Sequence, residues 1–136
     1  MKKVYEIVPY VSVGEIKFGM KKEEVIAVFG KEPDLITKGF LGTIELQWES
    51  VVVRFNKKGL VNEVSFLPNN NVFFNGRDIL NDPETLKILS KLEKPYITVG
   101  FKVFFNFGIA VTGFSKKIDH KALTVFSKEL VKVWKE

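Results

Sequence analysis

His120 is the only histidine in a chain that has no cysteine, so it is the first residue to test as a catalytic base. A Ser-His-acid system needs the imidazole beside a positioned serine. Here the neighbour is Asp119, and the serines are scattered without the glycines of a nucleophile elbow. His120 therefore reads as a surface histidine in a charged loop. A lone histidine without thiolates also leaves any zinc site to carboxylates.

The acids are no better placed. Glu23-Glu24 falls in the first turn of an expected helix, where carboxylates complement the free amides. Asp78 and Asp82 bracket a second helix start, with Asp82 suited to capping. Glycosidase-type chemistry needs two acids facing across a cleft, and only a weak enzyme reading survives, built on Glu45, Glu63 or Asp78 in a groove between halves. Gly39-Phe40-Leu41-Gly42 lacks the closing Gly-Lys-Ser/Thr of a phosphate loop and does not open a helix. Asn56-Lys57-Lys58-Gly59 reads as a hairpin turn with two solvent-facing lysines. No cofactor or metal is expected, and catalysis is not.

Composition narrows the classes further. At 136 residues the chain is expected to form a single domain, residues 1–136. Hydrophobic residues make up 46% of it, with 13 phenylalanines, enough for a core without crosslinks. The absence of cysteine suits a reducing compartment. The start Met1-Lys2-Lys3-Val4-Tyr5-Glu6 lacks the apolar run of a signal peptide, and no stretch has the length of a membrane span. A cytoplasmic protein with no membrane partner is expected. The net charge of +5 favours an acidic partner or a phosphate backbone. Only Arg54 and Arg77 are arginines, and arginine is the side chain that base-edge recognition prefers.

The elements that must position these residues follow a pattern that occurs twice. Val4–Tyr10 reads as an entry strand. Lys21–Phe29 reads as a helix whose apolar stripe is Val25, Ile26 and Phe29, stopped by Gly30 and Pro33. Thr43–Trp48 alternates with Ile44, Leu46 and Trp48 on one side. It is followed by Val51–Phe55, a turn at Asn56–Gly59, and Leu60–Phe66 with Leu60, Val64 and Phe66 on one face. That makes three antiparallel strands behind one helix.

The run Pro68-Asn69-Asn70-Asn71 is the expected joint between pseudo-repeat halves 1–67 and 72–136. In the second half, Asp82 and Pro83 open a helix marked by Leu86, Leu89 and Leu92. Tyr96–Phe107 reads as one extended segment with Val99, Phe101, Val103, Phe105 and Phe107 on one side. Ile109–Phe114 and Ala122–Phe126 read as strands, and Leu130–Trp134 as either a helix or a strand. The hairpin Phe105-Asn106-Phe107-Gly108-Ile109 echoes Phe55–Leu60. The expected fold class is α+β: two related helix-plus-antiparallel-meander halves packed as one domain with a curved, mostly antiparallel sheet.

Alternating phenylalanines belong to the core by default. Phe73 and Phe74 in the joint, and Phe40 between glycines, are the expected exposed anchors, with Arg77 and Lys38 nearby in sequence. Aromatic groups with arginine are what protein interfaces favour.

Gly14-Glu15-Ile16-Lys17-Phe18-Gly19-Met20, then Glu23-Glu24-Val25 and Phe29-Gly30-Lys31-Glu32-Pro33, resembles a pattern of small bacterial proteins with a helix packed on a meander. The run Gly108–Phe114 followed by Lys121–Phe126 resembles the tail of bacterial immunity proteins that neutralise delivered toxins, including those of contact-dependent growth inhibition. The doubled layout is similar to that of the β-lactamase inhibitory protein. The resemblance implies a non-enzymatic antitoxin that covers the active site of a cognate protein toxin, a nuclease or another toxic C-terminal domain. Contacts are expected from Phe73, Phe74, Arg77, Phe40 and Lys38. The alternative is a basic nucleic-acid-binding or regulatory module using Lys57, Lys58, Lys102, Lys116 and Lys117.

Overall fold

Alternation of apolar and polar residues decides most of the architecture, because a strand sends neighbouring side chains to opposite faces. The computed structural model describes residues 4–114 and 121–135. The sequence readings at Asp119, His120, Lys116 and Lys117 lie outside the described residues. In chain order the elements begin with strands β1 (Val4–Val8), β2 (Ser12–Val13) and β3 (Ile16–Lys17), then helix α1 (Lys22–Phe29). Next come β4 (Leu35–Lys38), β5 (Ile44–Trp48), β6 (Val51–Phe55) and β7 (Val61–Phe66). After them stand β8 (Asn71–Phe74), β9 (Arg77–Asp78), α2 (Thr85–Leu92), β10 (Tyr96–Thr98), β11 (Phe101–Phe104), β12 (Ile109–Thr112), β13 (Ala122–Phe126) and α3 (Val131–Trp134).

The fold is mixed α+β and dominated by two mostly antiparallel sheets. The larger has eight strands in the order β10-β11-β12-β13-β7-β6-β5-β4, and the smaller five in the order β3-β2-β1-β8-β9. Within the small sheet β1 and β8 run parallel, with Tyr5 opposite Val72. In the large sheet every pair is antiparallel, and the last strands of the two meanders, β7 and β13, join at the centre. Each of α1 and α2 is followed by four of these strands.

The core lies between the large sheet and a layer made of the small sheet and the two helices. Tyr5 of β1 sits on Phe66 of β7, ring centres 4.8 Å apart. Phe29 of α1 stacks on Trp48 of β5 at 4.2 Å with nearly parallel rings. Leu89 of α2 is fully buried in the same cluster. Helix α1 forms as expected: Val25 is buried, Glu24 accepts the Lys21 amide at 3.1 Å, and Gly30 closes the last turn at φ 73°. A left-handed residue there favours glycine.

Several expectations need correction. The first meander has four strands, not three, because Leu35–Lys38 pairs with β5. Leu60 does not share the face of Val64 and Phe66. A register shift beside Arg54 and Phe55 sets Phe55 opposite Val61, so Val61 is the buried residue instead. Such a bulge adds one residue to one strand and reverses the side-chain parity beyond it. Tyr96–Phe107 is not one extended run. It folds back at Val99-Gly100, both at positive φ (40° and 82°), the conformation of a tight two-residue hairpin.

Helix α2 starts at Thr85, three residues past Asp82. Asp82 Oδ1 accepts the Glu84 amide at 2.8 Å and so organises the turn before the helix. Leu92 is exposed, and the buried face of α2 is Thr85 with Leu89. The echo between Phe55–Leu60 and Phe105–Ile109 links unlike places: the first joins β6 to β7, the second β11 to β12. The C-terminal stretch from Leu130 to Trp134 resolves as a helix.

Candidate functional site: the open face of the first meander

Parity divides the first meander cleanly. Leu46, Trp48, Val53, Phe55, Val64 and Phe66 face the core, and Thr37, Glu45, Arg54, Glu63 and Ser65 take the other face. On the second meander the same outer face carries Val103, Ala110 and Phe126. There the chain end closes over it: Leu130, Val131 and Trp134 pack on these residues with Tyr10, Phe101 and Phe105. Trp134 meets Phe101 at 5.2 Å and Phe126 at 5.6 Å between ring centres. The Tyr10 hydroxyl donates to the Phe105 carbonyl and ties the entry of the chain to this cluster. Among the described residues the first meander has no such cover, and a groove of about 230 Å³ opens there, lined by Thr37, Gly39, Thr43, Arg54, Glu63 and Leu130 among others.

A cross-strand row fills the middle of that face. The register puts Glu45 opposite Arg54 and Arg54 opposite Glu63. Arg54 Nε donates to Glu45 Oε1 at 2.8 Å, and its Nη1 to Glu63 Oε1 at 2.9 Å and Ser65 Oγ at 2.7 Å. Ser65 in turn shares a 2.8 Å hydrogen bond with Thr124 of β13. The planar guanidinium is thus held in one pose by two strands, as bidentate arginine recognition requires. Its second terminal nitrogen has no partner among the described residues. Desolvation raises the Glu63 carboxyl above the ordinary glutamate range; Arg54 pulls it back, and Glu45 adds a smaller upward push. Two carboxylates against one guanidinium leave the cluster net negative on a chain that is net positive.

An apolar tip stands at the end of this groove. Phe40 and Leu41, in the turn between β4 and β5, are 87% and 80% exposed. Leu41 is held at φ 60°, ψ 31°, a left-handed conformation that costs a bulky side chain about 1–2 kcal/mol. The Thr43 hydroxyl pins the turn by donating to the Phe40 carbonyl at 3.1 Å. Strain at an exposed, apolar, hydrogen-bonded tip is typical of contact loops. Leu41→Gly is expected to raise stability by about 0.5 kcal/mol, strain relief less the added freedom of the unfolded glycine chain. Chemical denaturation checks this; a loss of stability would show that Leu41 is packed and unstrained.

The five residues expected to form a contact patch are not brought together. Phe40 is exposed in the turn whose Gly39 and Thr43 line the groove. Lys38 is exposed too, but shares the side of Ile36, away from the groove. Phe74 is buried, packed on Phe107 at 5.0 Å, so the expectation of an exposed anchor there is corrected. Phe73, its neighbour in β8, is half-buried on the opposite face. Arg77 is exposed in β9 of the small sheet and pairs with Asp82 at 3.3 Å. Of the weak acid set, Glu45 and Glu63 do meet, around Arg54. Asp78 stands apart and organises its own loop, bonding Asn81 Nδ2 at 2.8 Å.

Arg54 was the residue missed. Its signal was a lone charge inside Val51-Val52-Val53-Arg54-Phe55, which demands a partner when half-buried. The tight turn at Glu49-Ser50 already places Glu45 across from it.

No protein-family model matches the chain, and no curated protein or solved structure matches it either. Among the described residues no group of three or more histidine or acidic side chains is arranged to hold a metal ion. No helix among them is long and apolar enough to cross a membrane.

Proposed function

We propose that this chain is an immunity protein that binds a cognate toxin domain in the cytoplasm and blocks it by covering its active site. One observation carries the reading: an exposed, strained apolar tip, Phe40-Leu41, beside a preorganised Arg54–Glu45–Glu63 cluster on an uncovered sheet face. That combination supplies an apolar anchor and a fixed polar partner, the two features that concentrate binding energy in an interface. The partner is a surface that presents a lysine, an arginine or backbone amides to the free carboxylate oxygens, with an apolar recess for Phe40. Local charge, not the total of +5, governs this contact, so a basic toxin face is compatible with it.

The two meanders belong to the same proposal as related halves. Their helix-then-four-strand order and their meeting at β7 and β13 support this, and the chain end covers one outer face while leaving the other for a partner. The nucleic-acid alternative has less behind it: Lys57 and Lys58 sit at the β6–β7 hairpin tip and Lys102 lies in β11 of the other meander.

Co-expression with a cognate toxin domain is expected to rescue growth. Phe40→Ala should fold normally and weaken the complex by about 30-fold or more, as loss of an interface anchor does. Continued killing in the presence of soluble wild-type protein would reject the reading, and equal affinity of the variant would reject the tip.

A further inference from the structure

The groove over the first meander holds two carboxylates and one guanidinium, and the atoms they leave open define what fits. Glu45 and Glu63 each give one oxygen, Oε1, to Arg54. Their Oε2 atoms accept no hydrogen bond among the described residues. Thr37 stands opposite Glu45 on the same face, and its hydroxyl has no partner among those residues either. The Glu63 side chain is only 15% exposed, so charge left over here is poorly screened by water.

We infer that the groove is a socket for a single lysine side chain of the partner, whose ammonium bridges the free oxygens of Glu45 and Glu63. The inference rests on the immunity reading for the identity of that partner, a toxin domain. Charge is the first reason. Two carboxylates against one guanidinium leave one negative charge, which one cation neutralises. A neutral donor such as a backbone amide leaves that charge half-buried and unbalanced. A phosphate is repelled, which sets nucleic acid aside.

Geometry is the second reason, and it separates lysine from arginine. A guanidinium binds best as a fork on both oxygens of one carboxylate. Arg54 has already taken one oxygen from each, so neither has two to offer. An ammonium is a compact charge whose three donors rotate on a flexible stem. Two of them address the separate Oε2 atoms, and the third the Thr37 hydroxyl. Size agrees. The groove of about 230 Å³ falls below the roughly 300–1,000 Å³ of sites for drug-sized ligands, so one side chain suits it. Gly39 and Leu130 line it without charge, a path for the methylene stem of lysine, which lies readily along apolar surface.

The first test uses the full chain and a probe that needs no toxin, Nα-acetyl-lysine methylamide, followed by NMR. Signals of Glu45, Arg54 and Glu63 should shift saturably, with a Kd of about 1–10 mM for one side chain. The norleucine analogue, which lacks the charge, should leave them in place, and the arginine analogue should bind more weakly than lysine. Glu45→Gln, at a half-exposed position, should weaken lysine-analogue binding by about fivefold. Shifts elsewhere, equal binding of norleucine, arginine binding as tight as lysine, or an unaffected Glu45→Gln would each overturn the socket. With a cognate toxin domain, the wild-type chain should shield one toxin lysine from acetylation in mass-spectrometric footprinting, and Glu45→Gln should shield it less. A neutralised toxin with no shielded lysine overturns the socket and leaves the immunity reading standing. A lysine analogue seated in the groove while the toxin still kills removes the immunity reading and leaves the lysine socket.

Discussion

Phe66→Ala is expected to destabilise the protein by about 4 kcal/mol, the middle of the range for emptying a fully buried aromatic site. The position explains the size. Phe66 is fully buried at the end of β7, opposite Val51 of β6 on one side and Leu123 of β13 on the other, with the Tyr5 ring above it. It therefore touches both meanders and the small sheet at once, and no single neighbour can relax into the space it leaves. Domains of this class are stable by about 5–15 kcal/mol in all, so the loss is a large share, read as a fall of roughly 10–15 °C in melting temperature. Phe66→Leu keeps most of the volume and should cost about 1.5 kcal/mol. A loss below about 1.5 kcal/mol for the alanine variant would mean that the sheets are not joined through this side chain.

Much of the scaffold was legible because its signals are local. The Val25, Ile26 and Phe29 stripe ended by Gly30 specifies α1, and the alternation of Ile44, Leu46 and Trp48 specifies β5. What escaped depends on partners far along the chain. Leu35-Ile36-Thr37-Lys38 shows no alternation, since an edge strand exposed on both faces places no demand on either. The hairpin at Val99-Gly100 was hidden because apolar alternation continues through it, and a β-branched residue at φ 40° is a poor advertisement for a turn. Phe73 and Phe74 differ only in parity, and the four-residue β8 fixes that parity through its parallel pairing with β1.

The site divides the same way. Glu45 opposite Arg54 follows from a two-residue turn that sequence alone can place. Glu63 enters only because a tertiary bulge shifts the register beside it. Lys38 could not be sided correctly without β4, whose existence was not read.

Arg54→Ala is expected to lower stability by about 2 kcal/mol at neutral pH, less than the loss of a fully buried partner, because Arg54 and Glu45 are more than a third exposed and screened by water. Most of the cost falls on Glu63, whose side chain is only 15% exposed. Without the guanidinium its carboxylate keeps its desolvation penalty and faces Glu45 with no counter-charge between them. The pH dependence follows from the direction of its shift. Glu63 is already raised by burial with Arg54 pulling it down, so removing Arg54 raises it further. A carboxyl that holds its proton more tightly in the folded state binds more protons there than in the unfolded chain, so stability falls as pH climbs from the ordinary carboxylate range to the raised value, and levels beyond it. The gap between Arg54→Ala and wild type should therefore be small near about pH 4 and full near about pH 7. Adding Glu63→Gln should close most of that gap at neutral pH and flatten its pH dependence, whereas a role for Arg54 confined to packing its aliphatic stem would leave the gap unchanged. The same pair of variants separates scaffold from contact. If the cluster is what meets a toxin, the double variant regains stability and still binds weakly, because the Glu63 carboxylate is gone and Glu45 is no longer held in place by Arg54.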